Sequence, residues 1–285
     1  MPMSPRLLRP RTTLHPEAAA WRTAVVANGG TVSGSTLTAV SKFCFAIDAA
    51  GIRNRFFRLN LFCGTGLSSA LVPLYRGQSR TGMQFGNATD TNNGPFVSGD
   101  YNETGASGGL LGNGTSKYLD TGFAPNTLTL GSTHLSAYAV AANATVGYPA
   151  ALGSYSAAGG AEFGLYFHQA SLTTAAYFAE NNSNGFIISS ANNPTGHLLG
   201  TANSTTDRRV FVNGSQSGST STGTSTVALD SRVVWVFRRN NASASQGWSS
   251  ARLGAYSIGA GLSVSQASAF YTAMQAFQTA LGRNV

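Results

Sequence analysis

The spacing of apolar residues follows a helical period in the first quarter of the chain and a strand period after it. Residues 15–30 predict one helix, with Pro16 and Glu17 in its first turn and two glycines at its end. A second helix is predicted over residues 36–50, with Ser35 as its N-cap and Gly51 as its stop. Its apolar face is formed by Leu37, Val40, Phe43, Cys44 and Ile47. Residues 52–76 predict an irregular strand-and-loop segment.

From about residue 80, short apolar stretches are separated by turn residues, which is typical of a β-sandwich or barrel. Residues 80–108 predict a long loop, and residues 213–226 predict a polar surface loop. The predicted strands are Lys117–Asp120, His134–Val140, Tyr148–Leu152, Glu162–Phe167, Ala175–Phe178, Phe186–Ser189, Arg209–Val212, Val233–Phe237 and Arg252–Ser257.

One amphipathic helix is predicted at the end of the chain, over residues 263–281. Ser263 and Gln266 form a capping box at its start, and Gly282 ends it. Its apolar stripe is formed by Phe270, Met274, Phe277 and Leu281. We expect this stripe to pack on the sandwich or on the N-terminal helices.

The composition indicates an uncharged polar surface. Charged residues make up 10% of the 285 residues, whereas about 25% is usual for a soluble domain. The surface is therefore built from Ser, Thr, Asn and 34 Gly, as in extracellular or virion proteins rather than cytosolic enzymes. No apolar run approaches the ~18 residues of a membrane span, so we expect no membrane partner.

The net charge of +8 belongs to the first 80 residues, which hold ten of the eighteen Lys and Arg residues. An Arg-rich segment binds carboxylates or phosphates. We favour an acidic protein neighbour over nucleic acid, because no nucleic-acid-binding motif follows. The predicted docking residues are Arg6, Arg9, Arg11, Arg53, Arg55 and Arg58.

The sequence offers no arrangement typical of a metal, cofactor or catalytic site. His and Cys residues lack metal-ligand spacing, and no paired carboxylates, G-x-S-x-G elbow or phosphate loop occur. Residues 90–93 and 100–103 are rich in oxygen ligands for Ca²⁺, but ordinary turns are the favoured interpretation. Cys44 and Cys63 are predicted to be buried free thiols, and a disulfide between them stays open. We therefore expect no enzyme, no metal site and no cofactor.

Exposed aromatic residues give the sequence one possible binding chemistry. Aromatic rings near Gly, Ser and Asn residues can stack on sugars. The candidate glycan-contact residues are Trp248, Tyr101, Tyr148 and Tyr155.

Several stretches, in a fixed order, carry a family resemblance. Residues 109–123 read GLLGNGTSKYLDTGF, and HLSAYAV (134–140), RRVFVNG (208–214) and AYSIGAG (255–261) follow before the final helix. WRTAVVANGG (21–30) precedes them. Over residues 15–283 the chain resembles tailed-phage and prophage structural proteins that contain a concanavalin A-like (laminin-G-like) jelly-roll domain.

The resemblance implies a mainly β protein with two parts. Residues 1–79 would be a basic helical docking segment, and residues 80–285 a concanavalin A-like jelly-roll β-sandwich closed by its C-terminal helix. It implies a non-enzymatic virion structural protein, either a capsid decoration or an accessory tail protein. Its partners would be other virion proteins and copies of itself. The alternative is a receptor-binding or glycan-adhesion module of the tail, with a host surface glycan as partner. Position on the particle and copy number stay open.

Overall fold

A computed structural model describes residues 13–141, 148–156, 160–168, 176–180, 186–188, 193–218, 220, 222–241 and 247–285. The α-helices are α1 (Pro16–Ala27), α2 (Gly34–Ala49), the single turn α3 (Leu67–Ala70) and α4 (Val264–Ala280). Short 3₁₀ turns span Arg53–Arg55, Ser98–Asp100 and Pro125–Thr127. No helix in these residues is long and apolar enough to cross a membrane.

The strands form two sheets, which we call the first and second sheet. The first sheet has the order β13-β12-β11-β6-β16-β4-β3, with β1 also paired to β16, and the second has the order β10-β9-β8-β7-β14-β5-β2, with β15 also paired to β7. Their bounds are β1 Phe56–Asn60, β2 Thr91–Asn93, β3 Tyr101–Asn102, β4 Gly109–Leu111, β5 Tyr118–Asp120, β6 Thr133–Ala141, β7 Ala150–Ser156, β8 Ala161–Tyr166, β9 Tyr177–Glu180, β10 Phe186–Ile188, β11 Gly196–Ser204, β12 Asp207–Val212, β13 Ser215–Gln216, β14 Trp235–Val236, β15 Arg239–Asn240 and β16 Arg252–Gly259. The pairings are antiparallel except for that of β15 with β7.

The first sheet is buried on both faces, because side chains alternate between two cores. Leu135 and Ala137 of β6 face the second sheet and belong to the core between the sheets. Tyr138 and Val140 of the same strand face a second core beneath α1, α2 and α4. We call these three helices the helical layer.

Together these elements confirm the predicted fold class. The protein is mainly β, a jelly-roll sandwich of two sheets with helices at its N-terminus and one helix at its C-terminus. Residues 56–60, which the sequence assigns to the N-terminal segment, form a strand of the first sheet beside β16. That part of the chain is therefore packed into the sandwich.

Two helix boundaries follow the capping rules, with one correction. Ser33 is the N-cap of α2, since its hydroxyl accepts the backbone N–H of Thr36 at 3.1 Å, so the predicted cap Ser35 is wrong by two residues. The capping box of Ser263 and Gln266 is confirmed at the start of α4. The apolar stripe of α4 was predicted to pack on the sandwich or on the N-terminal helices. It packs on both, against the first sheet and against α2.

The strand β11, which is central in the first sheet, was not predicted from the sequence. Its two glycines and polar residues weaken the strand pattern. Gly200 has a packing role there, because a Cβ at this position would overlap the ring of Phe178 from the opposite sheet. The glycine lets a phenylalanine fill the inter-sheet core.

We expect Gly200→Ala to destabilise the protein by about 1–3 kcal/mol, the usual cost of overpacking a core. Gly34→Ala is a matched control, because a Cβ there meets nothing within 4 Å. Urea unfolding of both variants measures the effect. Equal stability of the two variants would show that the core beside Phe178 accommodates the added methyl group without a loss of stability.

Candidate functional site

The predicted docking arginines do not form one exposed patch. Arg6, Arg9 and Arg11 lie outside the described residues. Arg58 is fully buried, with its Nη2 at 2.6 Å from the Asp90 carboxylate, so its assignment as a docking residue is wrong. Arg53 is also engaged: its Nε lies 2.7 Å from Glu17, and its guanidinium stacks on Tyr75 at 3.7 Å. Arg55 is half-buried at the 3₁₀ turn.

Arg58 is the centre of a buried polar network. The Tyr256 hydroxyl donates to Asp90 Oδ1 at 2.6 Å, and Asn60 donates to Asp90 Oδ2 at 2.8 Å. Arg58 Nη1 also donates to the carbonyls of Phe85 and Asn87. The network ties β1, β16 and the loop before β2 together, so it has a structural role. Asp90, considered above as an oxygen ligand for Ca²⁺, is used in this pairing.

The four candidate glycan-contact aromatics separate into one buried and three accessible residues. Tyr101 is buried, and its hydroxyl donates to the carbonyl of Gly64 at 2.7 Å, so its assignment as a surface contact is wrong. Trp248, Tyr148 and Tyr155 are half-buried. These three rings are positioned by the second sheet and the segments beside it.

The outer face of the second sheet is built by strand alternation. Leu119 of β5 and Val236 of β14 point into the core, so Tyr118 and Trp235 beside them point outward. Their rings lie 4.2 Å apart, and Trp248 meets Tyr118 at 5.9 Å. All three rings are half-buried.

One arginine holds this aromatic cluster together. The guanidinium carbon of Arg238 lies 4.0 Å from the ring centre of Trp248, 5.0 Å from Trp235 and 5.6 Å from Tyr118. These distances lie within the ~6 Å range of cation–π attraction. Arg238 therefore fixes the rings and covers one side of them.

The adjacent strands continue the outer face with a second polar–aromatic group. The guanidinium of Arg239 lies over the Tyr155 ring at 4.7 Å and binds Glu162 at 3.0 Å. Tyr166 donates its hydroxyl to Glu162 at 2.5 Å and stacks on Tyr177 with ring centres 4.2 Å apart. Burial, followed by the negative charge of Glu162, raises the pKa of Tyr166 well above its ordinary value, so this phenol stays protonated.

We call Tyr118, Tyr155, Trp235 and Trp248 the aromatic face. Sequence reasoning found Tyr155 and Trp248 but missed Tyr118 and Trp235. The signal was available, because Trp235 lies between Val234 and Val236, and a strand with two buried valines turns the residue between them outward.

The helical layer contains a cluster of possible metal ligands. Ligand atoms of His15, Glu17 and Cys44 lie within 4.8 Å of one another. Each of the first two is already engaged, since Glu17 binds Arg53 and His15 bonds Asp48 at 2.8 Å while its Nδ1 accepts the backbone N–H of Glu17. Burial raises the pKa of Cys44 to about 12, which disfavours the thiolate that a metal would need. His15 thus caps the start of α1, and the three side chains pack together within the helical layer.

Both cysteines are buried free thiols, which confirms the favoured prediction over the disulfide. Burial also raises the pKa of Cys63, so neither thiol has the reactive, ionised form at neutral pH.

All ten carboxylates lie in the described part of the chain, and each has a partner within it. Eight of them are in ion pairs with Arg, Lys or His: Glu17, Asp48, Asp90, Asp100, Glu162, Glu180, Asp207 and Asp230. Glu103 accepts from Thr36 and from the Gly64 N–H, and Asp120 accepts from the Gly122 N–H. Asp100 also accepts the backbone N–H of Val97, which is turn chemistry.

No protein-family model matches the chain, and no curated protein matches it. Solved structures similar to it include domain 4 of AbnA, a GH43 extracellular arabinanase from Geobacillus stearothermophilus in complex with arabinotriose (14% identity, 57% of this chain and 75% of that chain, TM-score 0.43). They also include the binding domain of botulinum neurotoxin serotype D (11%, 78% and 52%, 0.49). A mutant of Trypanosoma rangeli sialidase that displays trans-sialidase activity is similar over 85% of this chain and 39% of that chain (11%, 0.49). The chain thus spans well under two thirds of the toxin domain and of the sialidase.

Proposed function

We propose that the protein is a non-enzymatic glycan-binding module that contacts its ligand through the aromatic face. The observation that carries this proposal is the set of half-buried rings on the outer face of the second sheet, held by Arg238 and Arg239. A sugar ring has an apolar C–H face that packs on an aromatic ring, and hydroxyls that need polar partners. The aromatic face supplies rings, guanidinium groups and the Glu162 carboxylate side by side.

Rigidity of the rings favours this role. Each guanidinium lies over a ring, so the side chains are ordered before a ligand arrives. Ordering rotamer-rich side chains on binding costs about 0.5–1.5 kcal/mol each. Because these side chains are already ordered in the free protein, ligand binding does not incur that cost. A preformed row of aromatic side chains is suited to the extended shape of a polysaccharide.

The non-enzymatic part of the proposal is supported by the carboxylates. Hydrolysis of a glycosidic bond uses two carboxyl groups on opposite sides of the bond. On the outer face of the second sheet, Glu162 is bound by Arg239 and Tyr166, which holds it as a structural acceptor.

The virion role predicted from the sequence stays a prediction. We propose it as the setting of the glycan-binding module, because the two sheets present different surfaces. The helical layer covers the first sheet and is available for particle contacts, while the aromatic face lies on the opposite side of the sandwich. The capsid decoration role and the tail adhesion role then differ in where the aromatic face points.

Replacing Trp248 or Trp235 by alanine is expected to weaken polysaccharide binding at least tenfold, since central tryptophans commonly contribute more than about 1.4 kcal/mol to an interface. Isothermal titration calorimetry with a panel of soluble bacterial polysaccharides measures the change. Phe45→Ala is the matched control, because Phe45 is an aromatic residue 48% exposed on the helical layer, away from the aromatic face.

Two results would contradict the proposal. One is that the unmodified protein binds no polysaccharide in the panel. The other is that both tryptophan variants bind as tightly as Phe45→Ala while retaining the native thermal midpoint.

A further inference from the structure

A cavity on the helical side of the molecule, unrelated to the aromatic face, has the chemistry of an anion site. It has a volume of about 170 Å³ and lies between α1 and residues 73–84. Its walls include Trp21, Arg53, Leu74, Arg76, Arg80 and Gln84. We call it the arginine pocket. This volume is about tenfold the ~10–15 Å³ that one water molecule needs, so it can hold one small oxyanion with some of its hydration.

The charges around the arginine pocket do not balance. Glu17 also lines it, but its two carboxylate oxygens lie 2.7 and 2.8 Å from Arg53 Nε and are used there. Arg76 and Arg80 have no carboxylate within 4.0 Å among the described residues. Two guanidinium charges therefore face one cavity without a matching acid.

Arg76 carries the strongest sign of a missing partner. Its Nη2 donates to the carbonyl of Gly86 at 2.9 Å, but its buried Nε has no hydrogen-bond partner among the described residues. Burial and the nearby positive charge of Arg58 lower the pKa of Arg76. A buried donor without an acceptor and a cation without an anion both cost free energy, and a bound anion would offset the second cost.

The walls of the arginine pocket would strengthen an ionic contact. Trp21 is 4% exposed and donates its indole N–H to the Val72 carbonyl, so its ring is a fixed apolar wall. Leu74 is 9% exposed beside it. Charges that meet against apolar walls attract more strongly than charges in open water. Guanidinium groups bind phosphate and sulfate oxygens through paired N–H donors.

We propose that the arginine pocket binds a phosphate or sulfate oxyanion through Arg76 and Arg80, with Arg53 and Gln84 at its edge. The ligand is either a free ion or such a group carried on a larger molecule. This site is independent of the glycan-binding proposal, because it is lined by α1, Arg53 and residues 73–84 and not by the second sheet.

Titration with inorganic phosphate at constant ionic strength tests the proposal. The thermal midpoint of the protein should rise saturably with phosphate and not with chloride, since a ligand of the native state stabilises it by mass action. Arg80→Gln is expected to weaken the apparent phosphate affinity at least tenfold. Arg80 is exposed and makes no ion pair in the described structure, so this variant should fold normally.

Arg22→Gln is the matched control. It removes the same charge from an exposed position of α1 that lines a different surface depression. Arg76→Gln is a second pocket variant and should also lose phosphate binding. The proposal is overturned if phosphate produces no saturable stabilisation, or if Arg22→Gln weakens it as much as Arg80→Gln.

Comparing inorganic phosphate with a phosphomonoester such as glucose 6-phosphate separates the two sources of the anion. Tighter binding of the phosphomonoester supports a group carried on a larger molecule. Equal or weaker binding supports a free ion. The aromatic-face variant Trp248→Ala should leave both affinities unchanged, which keeps this test separate from that of the glycan-binding proposal.

Discussion

Asp90→Ala is expected to destabilise the protein by about 3–5 kcal/mol. Removing one partner of a buried ion pair leaves the other charge without compensation in the interior. Here the charge left without an ion-pair partner is that of Arg58, whose side chain is fully buried. The same change removes the acceptor of the Tyr256 hydroxyl and of the Asn60 amide. The free energy of unfolding in urea, extrapolated to water, measures the loss.

Asp207→Ala is the matched control for that prediction. Asp207 also pairs with an arginine, Arg209, at 2.9 Å, but their side chains are 32% and 29% exposed. Exposed pairs contribute about 0–1 kcal/mol because water and salt screen them. If Asp90→Ala loses no more stability than Asp207→Ala, the buried network does not hold β1 to the sandwich.

Stability is expected to fall steeply as the pH drops from 6.5 to 5. Burial lowers the pKa of His134 to about 4 and that of His197 to about 3, against 6.5 for the exposed side chain. Because the native pKa is lower than the unfolded pKa, the unfolded chain takes up protons first as the pH falls. Each group then loses about 1.4 kcal/mol per pH unit below 6.5, or about 4 kcal/mol for the two at pH 5.

His197→Phe isolates half of this effect. His197 Nε2 is buried with no partner among the described residues, and the ring packs edge-on against Phe270 at 4.9 Å. Phenylalanine keeps the ring and cannot be protonated, so the slope of unfolding free energy against pH should fall by about half. His134 remains as the other contributor, with its ring bonded to the Ala260 carbonyl and to Ser257. An unchanged slope between pH 6.5 and 5 in this variant would show that His197 is not held neutral by burial.

The two proposed sites divide the molecule into functionally different sides. The aromatic face lies on the second sheet, whereas the arginine pocket lies between α1 and residues 73–84. A protein that bound a glycan at one site and an anionic group at the other would link these two ligands. The calorimetric and phosphate experiments test each side separately.

The sequence alone determined the class of the fold and the ends of its helices. Helix caps, glycine stops and the period of apolar residues are local properties, so α1, α2 and α4 fall within three residues of their predictions. Apolar stretches bounded by turn residues also predicted most strands of the second sheet. β11 was not predicted, because its place in the fold depends on the packing of Phe178 from the other sheet against Gly200. This contact joins residues that are far apart in the chain.

Only the tertiary structure decided which charged and aromatic side chains are available. Arg58 and Arg80 look alike in the sequence, yet one is buried against Asp90, 32 residues away, and the other is exposed. Tyr101 and Tyr155 likewise differ only in where the sheets place them. The spacing of residues along a chain predicts which face of a strand they occupy, but burial and ion pairing are set by elements that meet across the fold. Both proposed sites are built from such long-range contacts.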